Sequence, residues 1–102
     1  MSLEDRFHRE MLRIYEEAKE FGYYPNYFLG MVVERGGLSA AKHLISGNQL
    51  SDGFVRLWEE GHLDLSVEAL VLQDPWSSLF THEELAEARR RLVGVGYDVG
   101  GS

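Results

Sequence analysis

The spacing of apolar residues predicts helices along most of the chain. The first segment carries one apolar residue on each helical turn, at Leu3, Phe7, Met11, Ile14, Ala18 and Phe21. Spacings of three and four residues place these side chains on one face of a helix of about five turns. The remaining positions are mostly charged, so we expect a long amphipathic first helix that packs through its apolar face.

Proline and glycine divide the following sequence into shorter helices. Pro25 can begin a second helix, because a residue in the first turn needs no backbone N–H. Segments 38–46 and 51–60 have helical spacing as well, and Ser51 and Asp52 are candidate N-caps of the latter. Glycine after a helical segment often adopts the left-handed conformation that ends a helix. We expect this of Gly22, Gly36, Gly47, Gly61 and Gly94.

Segment 62–67 alternates polar and apolar residues, which is typical of a strand. A single short strand would have no pairing partner among helical segments, and segment 68–72 contains good helix formers. We therefore predict a fifth helix that continues through residues 68–72, with Asp64 and Ser66 as its candidate N-caps. Because apolar side chains surround it on all sides, we expect it to be the most buried helix.

The last helix has the clearest start. Thr81 and Glu84 form a capping-box pattern, and three arginines, 89–91, suit the dipole at its C-terminal end. The sequence thus predicts an all-α fold, an orthogonal bundle of five to six short helices in one domain over residues 1–99. Gly100-Gly101-Ser102 predicts a flexible, linker-like tail.

Charge and composition exclude several classes of function. Seventeen acidic and ten basic side chains give a net charge of -7, which repels phosphate backbones. We therefore expect no direct nucleic-acid binding, although segments 38–46 and 51–60 resemble a helix-turn-helix. There is no cysteine for thiol catalysis, and no apolar stretch approaches the roughly 18 residues that cross a membrane. The N-terminus lacks the pattern of a signal peptide, and we expect a cytoplasmic protein.

The acidic residues concentrate in the second half of the chain. Residues 51–102 contain ten acidic and four basic residues, whereas residues 1–50 contain seven and six. If the acids share a face, their field would steer a basic protein partner. The alternative is an ordinary solvated surface. The acidic candidates for partner contact are Glu59, Glu60, Asp64 and Glu68.

An aromatic run at residues 23–28 is the second candidate surface. Together with Trp58 and Trp76, its side chains could line a ligand pocket or a protein interface. Core packing is the competing interpretation, but three tyrosines cannot all be buried on one short turn. The aromatic candidates for partner contact are Tyr23, Tyr24, Tyr27 and Trp76.

Catalytic and metal-binding patterns are weak. No serine lies in a G-x-S-x-G motif, and no glycine-rich phosphate loop precedes a helix. His62, Asp64, Glu68 and His82 are of ligand-forming types, but their spacing matches no metal motif. We predict no catalytic residue, metal or cofactor.

Three blocks of the sequence resemble a family of small, uncharacterised bacterial helical proteins. The blocks are segment 28–42 (FLGMVVERGGLSAAK), segment 63–72 (LDLSVEALVL) and segment 79–85 (LFTHEEL). The resemblance covers residues 10 to 97 and implies a bacterial, intracellular, helical domain. It implies no catalytic residues.

These observations together predict a non-enzymatic protein-interaction or regulatory module of a bacterial cell. Its contact surface would combine the acids of the second half with exposed aromatic side chains. One alternative is an acidic nucleic-acid mimic that inhibits a nucleic-acid-binding protein. Another is a small enzyme or ligand carrier that uses the 23–28 region, Trp58 and His43.

Overall fold

The computed structural model describes residues 1–47 and 49–99 and confirms the all-α class. The described residues contain no strand. The bundle measures 31 × 31 × 24 Å, which agrees with short crossing helices rather than a long up-and-down bundle. Gly100–Ser102, predicted as a tail, lie outside the described residues. The described residues form six α-helices: α1 (Leu3–Glu20), α2 (Asn26–Arg35), α3 (Gly37–Ser46), α4 (Asp52–Glu59), α5 (Val67–Val71) and α6 (His82–Gly94).

Helix α1 packs as its sequence predicts. Phe7, Met11, Ile14 and Ala18 are buried, and the helix lies against α2 and α3. The Ser2 side chain begins the helix by accepting a hydrogen bond from the backbone N–H of Asp5. Burial of this one face supplies most of the stabilisation of α1, because its surface ion pairs contribute little.

Local caps begin α4 and α6 where the sequence predicts them. Ser51 is the N-cap of α4, and its Oγ accepts from the N–H of Phe54. Thr81 and Glu84 form the predicted capping box: Oγ1 of Thr81 accepts from the Glu84 N–H at 3.1 Å, and Oε1 of Glu84 accepts from the Thr81 N–H at 2.8 Å. Both pairings satisfy N–H groups that lack partners within the helix.

Segment 62–67 forms no strand, and of the two candidate caps it is Ser66, not Asp64, that begins α5. A 3-10 turn at Leu63–Leu65 precedes α5, and Ser66 separates the two. The Ser66 hydroxyl donates to the Leu63 carbonyl at 2.7 Å and accepts from the Ala69 N–H at 3.1 Å. All five residues of α5 are buried, which confirms the prediction of a fully buried helix.

Two of the five glycines predicted to be left-handed are not. Gly22, Gly36 and Gly61 have positive φ, as expected. Gly47 is extended, with φ -67°, and Gly94 is the last residue of α6. Gly96 ends α6 instead, with φ 83°. The predictions at Gly47 and Gly94 are therefore wrong, and for Gly47 the reason lies in how α3 ends.

Both ends of α3 are capped by side chains from other helices. At its N-terminus, Nδ1 of His8 on α1 accepts a hydrogen bond from the Gly37 N–H at 2.8 Å. The approach is so close that a Cβ on Gly37 would lie 2.6 Å from the His8 Cα. Residue 37 must therefore be glycine if α1 and α3 are to keep this distance.

At the C-terminus of α3, the side chain of Arg91 takes the place of a left-handed glycine. The guanidinium donates to the carbonyl oxygens of Leu44, Ile45 and Gly47 at 3.0, 2.8 and 2.6 Å. These carbonyls have no partner within the helix, so Arg91 supplies what a glycine cap would otherwise provide. Gly47 can then remain extended.

The same arginine forms two ion pairs. Its Nη1 lies 3.1 Å from Oε2 of Glu68 on α5, and its Nε lies 2.8 Å from Oε2 of Glu87 on α6. The side chains of Arg91 and Glu68 are only 1% and 4% exposed. Arg91, for which the sequence predicts only a favourable interaction with the helix dipole, is therefore the buried junction of α3, α5 and α6.

Two glycine-to-alanine changes should have opposite effects on stability. Gly30 lies inside α2 with open space around its missing Cβ, so Gly30→Ala should raise the free energy of unfolding by about 0.5–1 kcal/mol. Gly37→Ala should lower it by about 1–3 kcal/mol, because the new Cβ meets the His8 backbone. Urea unfolding followed by circular dichroism measures both, and equal effects would contradict the close approach at Gly37.

Removing Arg91 should be among the most damaging substitutions. We expect Arg91→Met to cost about 3–5 kcal/mol of stability, because Glu68 is left as a buried charge without its partner. The double variant Arg91→Met/Glu68→Met should recover part of this loss, since it removes both charges. Urea unfolding of the single and double variants tests this, and an absence of coupling would contradict the buried pair.

The ion pairs of Glu87 should make stability depend on pH. Hydrogen bonds from Arg90 and Arg91 lower the pKa of Glu87 from 4.5 to about 2. A carboxyl with a lowered pKa stabilises the folded protein above its unfolded-state pKa and loses this effect as the pH falls. Glu87→Gln should therefore be less stable than the parent near neutral pH, with the difference vanishing between pH 4.5 and about 2.

Unfolding free energies of the parent and the Glu87→Gln variant across this pH range provide the measurement. Glu83→Gln, an exposed position on the same helix, controls for the loss of one negative charge. Identical pH profiles of the two variants would contradict the role of Glu87.

Candidate binding pocket

An apolar pocket of about 380 Å³ opens between α1, α4, α5 and the start of α2. Pockets that bind small ligands or partner side chains have volumes of roughly 300–1,000 Å³, so this one is large enough for a bulky side chain. Five separate stretches of the chain contribute to its wall. The pocket therefore exists only in the folded bundle.

The deep part of the pocket is apolar and buried. Ile14 and Ala18 come from α1, Phe54 and Leu57 from α4, and Val67 from α5. Each of these helices also contributes to the hydrophobic core, so their backbones are fixed by packing. An apolar group that entered the pocket would gain the free energy of leaving water without unfolding any part of the wall.

The mouth of the pocket is exposed and mixes apolar groups with one acidic group. The side chain of Tyr27 is 81% exposed and that of Leu50 is 39% exposed. Asp52, in the first turn of α4, is the charged residue at this edge. A large exposed tyrosine beside a pocket is the arrangement that protein interfaces favour.

Tyr23 forms a half-buried part of the wall. The Arg56 guanidinium lies over its ring, 5.0 Å from the centroid. Burial raises the pKa of the Tyr23 hydroxyl, and the negative charge of Asp52 acts in the same direction, whereas Arg56 opposes it. The hydroxyl is therefore neutral and able to donate or accept a hydrogen bond at the pocket wall.

The inner polar groups are already engaged within the fold. The Ser66 hydroxyl donates to one backbone group and accepts from another, as described above. The Glu68 carboxylate is paired with Arg91; burial raises the pKa of Glu68 and the hydrogen bonds it receives act in the opposite direction. No histidine lies among the described residues of the wall. The wall can therefore hold an apolar group, while its inner polar groups bond within the fold.

The structure separates the aromatic candidates. Tyr23 and Tyr27 both line the pocket. Tyr24 is 59% exposed and lies outside the lining. Trp76 is half-buried elsewhere, with its ring centroid 5.8 Å from that of Phe7. The aromatic run therefore contributes two of its tyrosines to one site, and Trp76 packs against the core.

The acidic candidates do not form a uniform negative surface. Glu59, Glu60 and Asp64 are exposed, as predicted, but none of the three lines the pocket. Glu68 is buried, so the expectation that it belongs to the exposed surface needs correction. The reason is its position on α5, which is enclosed on all sides.

Several acids of the second half are also neutralised within the chain. Glu84 lies 2.7 Å from Lys42, Glu60 lies 3.8 Å from Arg56, and Glu87 is paired with two arginines. For Glu84, burial raises the pKa, but the hydrogen bonds from Lys42 and the Thr81 backbone outweigh it and lower the pKa overall. These pairs reduce the field that the sequence count suggests.

Two residues at the mouth, Leu50 and Gly53, are not indicated by the sequence pattern. Asp52 also lines the pocket, whereas the sequence predicts it only as a candidate helix cap. Glycine is a poor helix former, and yet Gly53 occupies the first turn of α4. A glycine at such a position can indicate that a side chain would meet a neighbouring group. A Cβ at this position would lie 3.3 Å from the Tyr23 hydroxyl. A side chain at residue 53 would therefore crowd the Tyr23 hydroxyl at the pocket wall.

The candidate metal ligands lie apart. No group of three or more histidine and carboxylate side chains able to hold a metal ion is found within residues 1–47 and 49–99. The His62 ring stacks on Phe21 with centroids 3.9 Å apart and an interplanar angle of 6°.

Within residues 1–47 and 49–99, no helix combines the length and the apolar character needed to cross a membrane.

No family model, curated protein or solved structure matches the chain. The resemblance to small bacterial proteins therefore stays a prediction.

Proposed function

We propose that the chain is a non-enzymatic protein-interaction module whose pocket receives a bulky apolar side chain of a partner protein. One observation carries the proposal: a deep apolar pocket with a strongly exposed tyrosine and a partly exposed leucine at its mouth. Tyr27 and Leu50 extend the apolar surface beyond the cavity itself. We also propose a bacterial, cytoplasmic setting, as the sequence suggests.

The exposed mouth favours a protein partner over a small ligand. A small molecule inside the cavity would leave most of the Tyr27 ring in water. A protein surface around an inserted side chain would cover both Tyr27 and Leu50 and so remove more apolar area from water. Interfaces concentrate their binding energy in such pockets, with tyrosine among the residues that contribute most.

Binding is favoured over catalysis by the use of the inner polar groups. Ser66 caps α5 and Glu68 is paired with Arg91, so neither is available to activate a substrate. A nucleic-acid mimic gains no support, because ion pairs within the chain engage Glu60, Glu68, Glu84 and Glu87.

Blocking the pocket provides the test. A random peptide library displayed on phage is selected against the parent chain, and the enriched peptides are measured by titration against variants. Gly53→Leu places a side chain next to Tyr23 at the pocket wall and should weaken peptide binding about tenfold or more. Tyr27→Ser should also weaken binding while leaving stability almost unchanged, because the side chain is 81% exposed.

Gly30→Leu is the matched control, since Gly30 is also a helical glycine but lies outside the pocket wall with open space around its Cβ. It should bind the peptides as the parent does. Circular dichroism verifies that each variant is folded. Peptides that bind all variants equally would overturn the proposal. Enrichment of no peptide, together with binding of small aromatic fragments in the pocket, would favour a ligand carrier instead.

A further inference from the structure

We infer that the partner segment carries a lysine or arginine directly beside the apolar side chain that enters the pocket. This inference rests on the proposed function and adds the charge of the partner.

The charged residues of the described pocket wall are both acidic. They are Asp52 and Glu68, and no lysine, arginine or histidine lies among the lining residues that the structure describes. The two acids differ in depth. Glu68 is 4% exposed and is balanced by Arg91, which is 1% exposed. The inner end of the pocket is therefore electrically compensated and suits an apolar group.

Asp52 at the mouth has no such compensation. It is exposed and forms no ion pair with any residue in the described part of the chain. Arg56 lies one helical turn further along α4, but its guanidinium sits over the Tyr23 ring and 3.8 Å from Glu60. The nearest cation on the same helix is thus held by other groups, and the Asp52 carboxylate remains available to a partner.

Tyr27 adds a second group that favours a cation. Its ring is 81% exposed at the same mouth, and the face of an aromatic ring attracts lysine and arginine side chains. The interior of the pocket is apolar, whereas its mouth carries a carboxylate and an aromatic ring. A partner segment that fits both therefore has an apolar side chain next to a basic one. The apolar side chain enters, and a basic neighbour stays at the mouth.

The test repeats the peptide selection with one charge removed. Selection against the parent chain should enrich peptides with a lysine or arginine next to a bulky apolar residue, whereas selection against Asp52→Asn should lose this enrichment. The strongest selected peptide is then synthesised in two forms, as selected and with its basic residue replaced by glutamine. Asp52→Asn should weaken binding of the basic form about two- to fivefold and leave the glutamine form unchanged.

Glu59→Gln is the matched control, because Glu59 is an exposed acid of the same helix that does not line the pocket. It should leave both titrations unchanged. An equal effect of Glu59→Gln and Asp52→Asn would overturn the inference, since net charge alone would then explain the result. Added salt should reduce the difference between the two peptides.

The outcomes separate the inference from the proposal beneath it. Peptides that need the open pocket but show no basic enrichment would overturn the inference and leave the proposed function standing. Peptides that are insensitive to Gly53→Leu would overturn the proposed function as well.

Discussion

The fold depends on how the two ends of α3 are capped. This helix begins at paired glycines, which provide no side-chain cap at its N-terminus. At its C-terminus the Ser46 hydroxyl donates to the His43 carbonyl but not to those of Leu44 and Ile45. His8 supplies the acceptor at one end and Arg91 supplies the donors at the other. Because unsatisfied backbone groups inside a protein cost free energy, α3 is stable only when α1 and α6 are in place around it.

The Arg91 junction also bonds to two residues of the pocket wall. Arg91 pairs with Glu68, which lies at the inner wall, and it bonds to the carbonyl oxygen of Leu44, another residue of that wall. The wall is therefore held by buried hydrogen bonds as well as by apolar packing. A pocket that is formed before the partner arrives avoids the cost of ordering its wall during binding.

Local patterns predicted those parts of the structure that depend on neighbouring residues. The apolar face of α1, the Ser51 cap and the capping box of Thr81 and Glu84 all act over three or four residues, and each is present as expected. The left-handed glycine at Gly47 was wrong because the cap comes from Arg91, at least 44 residues away in sequence. The spacing of apolar residues relates positions three or four apart, so it cannot predict a hydrogen-bond donor this far along the chain.

The candidate site was predictable in part for the same reason. Aromatic clustering at residues 23–28 indicated a surface, and Tyr23 and Tyr27 are indeed at the pocket. Leu50 and Gly53 reach it only through the fold, which brings segment 50–57 to the same pocket wall as α1 and the 23–28 region. The charge of Glu68 suggests an exposed residue, but Glu68 is buried because every residue of α5 is buried. The number of acidic residues can be counted from the sequence, but their ion pairs and their burial determine the charge that a partner protein contacts.

Capping of α3 by two distant helices has a consequence for the motions of the domain. A helix with its own caps can fray and re-form while its surroundings stay intact, but α3 cannot open without releasing His8 and Arg91 together. Its amide protons should therefore exchange with solvent mainly when the entire chain unfolds, as in a single cooperative unit. The backbone at the inner face of the pocket, which includes Leu44, should therefore be rigid. The side chains at the mouth are the part of the pocket that can change conformation on binding.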